Sequence, residues 1–144
     1  MGFLTNEDYK PQIRDWIRNL VTNDDPAIQT KSELAAQAEM ESYLRDRYKV
    51  GEIFEAEGEA RNALLVMYMV DITLYHLHSN ISPENVPELR GIRYEAAINW
   101  LKAVAKGSIS PNLPEHTSDP DSEDPEGDSI FFQGGSNDVV SERY

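Results

Sequence analysis

Apolar residues return along the first twenty positions at a spacing of three to four residues, which predicts an amphipathic helix. Thr5 is followed three residues later by Asp8, a relative of the capping box that uses Glu or Gln, so we expect this helix to begin near Thr5. Pro11 falls within its first turns. The apolar positions with helical spacing are Ile13, Trp16, Ile17 and Leu20.

Two further segments carry clear start or stop signals. Asp25 followed by Pro26 predicts an N-cap and a first helical residue, and the helix that they open runs to about Tyr48, before Gly51. Another helix begins near "NVPELRG" and ends in "LKAVAKGS", where Gly107 is placed to close it. Its broad apolar side is predicted to consist of Leu89, Tyr94, Ala97, Ile98, Trp100, Leu101 and Val104.

The remaining helix, "RNALLVMYMVDITLYHLHSN" at 61–80, is apolar around nearly its whole circumference. Between Leu64 and Leu74 only Asp71 and Thr73 interrupt this character. A surface helix normally keeps one polar side. This helix is therefore predicted to be either wrapped by the rest of its own chain or covered by a neighbouring subunit, and we expect the protein to form homo-oligomers.

No segment alternates with the period of a strand, so the sequence predicts an all-α fold. We expect a small bundle of about four helices over residues 1–107. Residues 108–144 are predicted to be a long, largely irregular and flexible acidic arm, because Pro, Asp, Ser and Glu dominate its first half. Apolar residues return near its end and indicate an arm that docks on an oligomer neighbour or another protein, the alternative being a frayed terminus. These residues are Ile130, Phe131, Phe132, Val139, Val140 and Tyr144.

The net charge of −13 narrows the range of partners. Residues 108–144 contain nine acidic residues and one arginine, which leaves −5 for residues 1–107. Such a chain lacks the basic surface that grips phosphates, so direct nucleic-acid binding is not expected. The longest apolar run, from Ala63 to Val70, is too short to span a membrane. The absence of cysteine excludes thiolate metal sites and cysteine nucleophiles.

Asp71 lies in an otherwise apolar helix and needs a partner, since an unpaired buried carboxylate is costly. Arg47 falls in the middle of the inward stripe of the second helix, which makes an Asp71–Arg47 ion pair our first prediction. Arg93 and Arg45 are alternative partners, and a catalytic role for Asp71 is a third possibility. A buried pair of this kind would fix the register of the two helices.

His76 and His78 are two residues apart, so they point in nearly opposite directions on a helix and do not form the i, i+4 pair of a helical zinc site. We interpret them as packing or capping residues at a helix end, and we expect no metal and no cofactor. His116 lies in the predicted arm. Neither a phosphate-binding glycine loop nor a nucleophile elbow is present, so no enzyme activity is predicted.

Four segments in order resemble one known family. They are "FLTNEDY", "AAQAEMESYLRDRY", "MVDITLYHLHS" and "RYEAAINWLKAVAKGSISPNLP". Together they are similar to the head–tail connector proteins of tailed phages, the Mu-like group also called head-completion or adaptor proteins, over about residues 3–114. The long "EHTSDPDSEDPEGDS" spacer departs from the shorter family endings. Core packing is expected at Tyr43, Tyr48, Leu74, Tyr94, Trp100 and Leu101.

The resemblance implies a virion protein of the phage neck, made in the host cytoplasm. It implies a ring, commonly of twelve copies, that docks on the portal protein and offers a platform to the stopper or tail-completion protein. DNA would pass through the channel without specific binding, and neither catalysis nor a membrane is involved. The alternative interpretation is an acidic helical DNA mimic that inhibits a host DNA-binding protein.

Overall fold

The computed structural model describes residues 2–116, which contain five α-helices and no strand. Short 3-10 turns occupy Asn6–Tyr9, Gly58–Ala60 and Pro83–Asn85. This confirms the predicted all-α fold. The helices are α1 (Asp15–Val21), α2 (Pro26–Leu44), α3 (Val50–Glu55), α4 (Ala63–His78) and α5 (Glu88–Lys106).

The helix ends follow local chemistry. The Asp25 carboxylate accepts a hydrogen bond from the Ala27 N–H at 2.9 Å, so Asp25 caps α2 as predicted. The Asn62 side chain accepts from the Leu65 N–H at 3.0 Å and caps α4. Gly107, with φ of 86°, ends α5 in the left-handed conformation that glycine adopts without strain.

The single helix predicted from Thr5 is divided in two. The Thr5 N–H donates to the Asp8 carboxylate at 2.6 Å, but this start leads only to a 3-10 turn at Asn6–Tyr9. The helical pattern resumes at Asp15. The division falls at Arg14, whose backbone is extended with ψ of 146°, and Pro11 removes one N–H that a continuous helix would donate.

The second predicted helix is also shorter than expected. It ends at Leu44 rather than near Tyr48, and the chain turns into α3, which contains Gly51. Helix α3 was not predicted, because six residues are too few to establish a helical period.

Helix α4 occupies the centre of the bundle, with α2 and α5 both packed against it. Nine of its residues are buried, among them Leu65, Ile72 and Leu74. The chain's own helices therefore cover most of its circumference, the first of the two predicted arrangements. No helix among the described residues has the length and apolar character to cross a bilayer.

The predicted packing residues lie in or against this core. Tyr48, Leu74 and Leu101 are fully buried, and Trp100 is buried with its ring 5.0 Å from that of Tyr68. Tyr43 and Tyr94 are partly buried and pack against the core. Leu89, which we placed on the apolar side of α5, is instead half-exposed at 51%.

Beyond α5 the chain returns to the corner between α2 and α3. The Lys49 N–H donates to the Pro114 carbonyl at 2.8 Å, and the His116 N–H donates to the Arg47 carbonyl at 3.1 Å. Tyr48 and Glu115 thereby form an isolated antiparallel bridge. The boundary between bundle and arm at residue 107 stays a prediction, although residues 112–116 contact the bundle.

Candidate functional site

Asp71 is paired with Arg93, not with Arg47. Arg93 Nε donates to Asp71 Oδ1 at 2.7 Å, and the side chains of the aspartate and the arginine are 2% and 34% exposed. The predicted Asp71–Arg47 pair is therefore wrong, whereas Arg93 was one of the alternative partners. The pair joins α4 to α5 and leaves the Asp71 side chain buried.

Arg47 has a different task at the far end of α5. Its Nη1 donates to the carbonyl of Val104 at 2.9 Å, within the last turn of that helix. A cation near a helix C-terminus stabilises the unpaired carbonyls there. The guanidinium also lies over the Tyr48 ring, 5.6 Å from its centroid.

A second arginine, Arg90, extends the polar centre. Its Nη2 donates to the backbone carbonyl of Gln12 at 3.1 Å, and the Gln12 side chain donates in turn to the Met67 carbonyl at 3.1 Å. These bonds tie the segment before α1 to α4 and α5. Within residues 2–116, Arg90 Nη1 is buried without a hydrogen-bond partner.

The pKa of the Asp71 carboxyl is raised, chiefly because burial disfavours its charged form. The hydrogen bond and charge of Arg93, and the charge of Arg90, oppose this shift. The guanidinium groups therefore only partly offset the desolvation of the carboxylate. This is the behaviour of a structural pair, in which the partner limits a burial cost rather than adding a large gain.

His76 and His78 contact different groups on different helices. His78 Nδ1 is 2.8 Å from the Leu74 carbonyl, so the ring donates to the backbone four residues earlier in α4, while His76 Nε2 lies 3.2 Å from Glu39 Oε1 on α2. Burial lowers the pKa of His78, and the charge of Arg90 lowers it further. Among the described residues no group of three or more His, Cys, Asp or Glu is arranged to hold a metal ion.

Glu39 joins three helices. In addition to its contact with His76, its Oε2 accepts from the Tyr94 hydroxyl at 2.7 Å. The Tyr94 ring stacks on Tyr75 with centroids 4.0 Å apart. Burial and the neighbouring carboxylate raise the pKa of Tyr94, which keeps its hydroxyl as a donor.

An ion pair that was not predicted from the sequence anchors the N-terminal segment. Arg61 Nη1 and Nη2 donate to the two oxygens of Asp8 at 2.6 and 3.1 Å, and Nη1 also donates to the Phe3 carbonyl at 2.8 Å. Burial raises the pKa of Asp8, but the hydrogen bonds from Arg61 and Thr5 outweigh it and hold the pKa below its usual range. The partners are 53 residues apart, so no local spacing pointed to them.

Exposed apolar side chains form two pairs on the helices. Trp16 and Leu20 on α1 are 65% and 70% exposed, and they are four residues apart on one side of the helix. Leu89 and Ile92 on α5 are 51% and 55% exposed and three residues apart. Leu34 is exposed on α2. Helical neighbours at these spacings form continuous patches, so α1 and α5 each present an apolar surface.

The apolar part of the predicted docking arm falls outside the part of the chain that the structure describes. Its apolar residues Ile130, Phe131, Phe132, Val139, Val140 and Tyr144 lie outside the described residues. The arm stays a prediction, and its described beginning is the segment 112–116 that contacts the α2–α3 corner.

The chain matches a known protein family over most of its length. A family model described as "Bacteriophage Mu, Gp36" matches residues 4–128 of the 144-residue chain. The match includes all five described helices. Neither the curated proteins nor the solved structures contain a significant match to the chain.

Proposed function

Because the chain belongs to the bacteriophage Mu Gp36 family, we propose that it is a structural protein of the phage neck that joins the head to the tail. In this proposal copies of the chain form a ring, of twelve subunits on the strength of the family resemblance, that docks on the portal protein. The ring extends the DNA channel and receives the stopper or tail-completion protein. The observation that carries the proposal is the family match over residues 4–128.

The two apolar surfaces support assembly into a ring. A closed ring is built from heterologous contacts, in which one surface of each subunit binds a different surface of the next. We assign these two surfaces to the Trp16–Leu20 side of α1 and the Leu89–Ile92 side of α5. Scattered single apolar residues are normal on protein surfaces, whereas paired ones at helical spacing suit an interface.

The position of Ile92 on α5 supports this assignment. Ile92 is five residues before the buried Ala97, which places it about 140° around the helix at 100° per residue. Its side chain is therefore directed away from the chain's own core. Burial of Ile92 in a neighbouring copy would remove apolar surface from water without disturbing the bundle.

Charge supports the role as a DNA conduit. The net charge of the chain is −13. A channel lined by basic side chains would instead retain the DNA phosphates through counterion release. An acidic ring lets DNA pass without specific binding. The passage of DNA through such a channel requires neither a cofactor nor a catalytic group.

The experiment combines the purified protein with portal rings of the same phage and images the mixture by electron microscopy. We expect an additional ring of density on the portal and co-sedimentation of the two proteins. Leu20→Glu or Ile92→Glu should block ring formation, because each places a charge in an apolar contact. Leu34→Glu is the matched control, because Leu34 is an apolar helical residue of similar size whose side chain is also exposed, at 61%.

The outcomes separate the parts of the proposal. Absence of any density on the portal would contradict the neck function. Normal rings from both Leu20→Glu and Ile92→Glu, or loss of rings with Leu34→Glu alone, would retain the neck function and refute the assigned surfaces. Circular dichroism of each variant checks that the bundle is still folded.

A further inference from the structure

A basic cavity lies between the N-terminal segment and the α4–α5 corner of this acidic protein. It has a volume of about 480 Å³, and its charged or titratable lining side chains are Lys10, Arg14, His78 and Arg90. Among residues 2–116 no acidic side chain lines it. A cavity lined by several basic side chains is unexpected in a chain of net charge −13, in which acidic residues outnumber basic ones.

The basic side chains of the cavity have hydrogen-bond donors available for an anion. Arg90 is only 7% exposed, and its buried Nη1 has no hydrogen-bond partner within residues 2–116. Arg14 makes no ion pair among those residues. Lys10 contacts Glu7 at 2.8 Å, but both side chains are largely exposed, so this pair contributes little. Carboxylates would supply the missing acceptors.

An apolar groove adjoins the basic cavity. It has a volume of about 410 Å³, and it shares His78 and Pro87 with the cavity. Tyr75, Ile81 and Val86 are among its apolar lining residues, and Glu88 is the one acidic residue that lines it among residues 2–116. The two depressions form one continuous surface, basic at one end and apolar at the other, which we call the corner surface.

The chain itself contains a segment with the matching order of chemistry. Residues 119–132 read "DPDSEDPEGDSIFF", in which six acids precede Ile130, Phe131 and Phe132. We propose that this segment of the same chain docks on the corner surface, its acids against the basic cavity and its aromatics in the apolar groove. This inference does not depend on the neck function.

The distances allow the segment to reach its site. His116 is held against Arg47, which is level with Val104 near the end of α5. Arg90 is 14 residues before Val104, or about 21 Å along the helix. The twelve residues from His116 to Asp128 span up to about 40 Å when extended, enough for a path over the surface. A tether of this length holds the segment at an effective concentration on the order of millimolar.

The test uses the full chain, which has no natural cysteine to interfere with labelling. A nitroxide attached to Ser129→Cys should broaden the amide NMR signals of Arg14, Ile81 and Val86, while signals at the opposite end of α5 stay sharp. A second sample mixes spin-labelled chains with isotope-labelled chains that carry no nitroxide. Broadening in that sample reports an arm that docks on a neighbouring chain. Broadening that occurs only in this mixture would overturn the intramolecular docking that we propose.

Charge and aromatic variants separate the two halves of the surface. Arg14→Glu should reduce the equilibrium constant for docking about two- to fivefold, the usual effect of one exposed ion pair, and Lys31→Glu on α2 is the control with the same charge change. Phe131→Ala with Phe132→Ala should remove the broadening near Ile81, whereas Tyr144→Ala should not. Absence of broadening in the parent chain, or equal effects of Arg14→Glu and Lys31→Glu, would refute the proposal.

Discussion

Replacement of Arg93 by methionine tests the central ion pair directly. Arg93→Met keeps most of the aliphatic stem and removes the donor that lies 2.7 Å from Asp71 Oδ1. Removing one partner of a fully buried pair costs about 3–5 kcal/mol. The Arg93 side chain is 34% exposed, and the charge of Arg90 also favours the ionised form of Asp71. We therefore expect a smaller loss of unfolding free energy, about 2–3 kcal/mol at pH 7.

The pH dependence of this loss identifies its cause. Burial already raises the pKa of Asp71, and without Arg93 the pKa rises further, because the opposing hydrogen bond is gone. The folded protein then binds a proton that the unfolded chain, with an aspartate pKa of 3.8, has released. Between these two pKa values stability falls as pH rises, so the deficit of Arg93→Met should shrink as pH is lowered from 7 towards 4.

Urea unfolding followed by circular dichroism at several pH values measures both effects. Arg47→Met is the matched control: it removes a hydrogen bond to a carbonyl at a helix end, and we expect a loss of about 1 kcal/mol with no comparable pH dependence. Asp71→Asn combined with Arg93→Met should restore part of the stability. A larger loss for Arg47→Met than for Arg93→Met, or a deficit independent of pH, would refute the reasoning.

Three further predictions concern the helix ends and the buried histidine. The pKa of His78 is lowered, so the protein should lose stability as pH falls below about 6.5, by at most about 1.4 kcal/mol per pH unit. His78→Asn keeps a donor for the Leu74 carbonyl and should remove that part of the acid sensitivity, which parallel urea titrations measure. Gly107→Ala should cost about 1–2 kcal/mol, since φ is 86° and the new Cβ would lie 3.2 Å from Arg47 Nη1; a melting temperature equal to that of the parent would count against the cap. Gly51→Ala, in a helix with nothing within 4 Å of the new Cβ, should instead stabilise by about 0.5–1 kcal/mol, and a thermal melt that shows a loss would contradict this.

The helices were predictable where a local signal and a long apolar period agreed. Asp25 with Pro26 fixed the start of α2, and Gly107 fixed the end of α5. The capping arrangement at Thr5 favoured a continuous helix, and the extended backbone at Arg14 that divides it has no local signal in the sequence. The six-residue α3 is stabilised by burial of Ile53 and Phe54, which is tertiary information.

The partner of Asp71 could not be fixed from helical wheels alone. A wheel gives the direction of a side chain around its helix but not its height in the bundle. Glu39 contacts Tyr94, and Arg47 contacts Val104, so α2 and α5 run side by side in the same direction. Arg47 is thus level with a residue 11 positions from Arg93, about 16 Å away along α5. The need for a guanidinium was predictable; the helix that supplies it was not.

The bridge between Tyr48 and Glu115 gives the molecule an internal reporter of arm release. The amides of Lys49 and His116 are hydrogen-bonded only while this bridge is closed. Their hydrogen–deuterium exchange should therefore be slow in the free subunit, and it should accelerate when a binding event pulls the arm away from the α2–α3 corner. Two amide signals thus follow the detachment of the arm's root without any added probe.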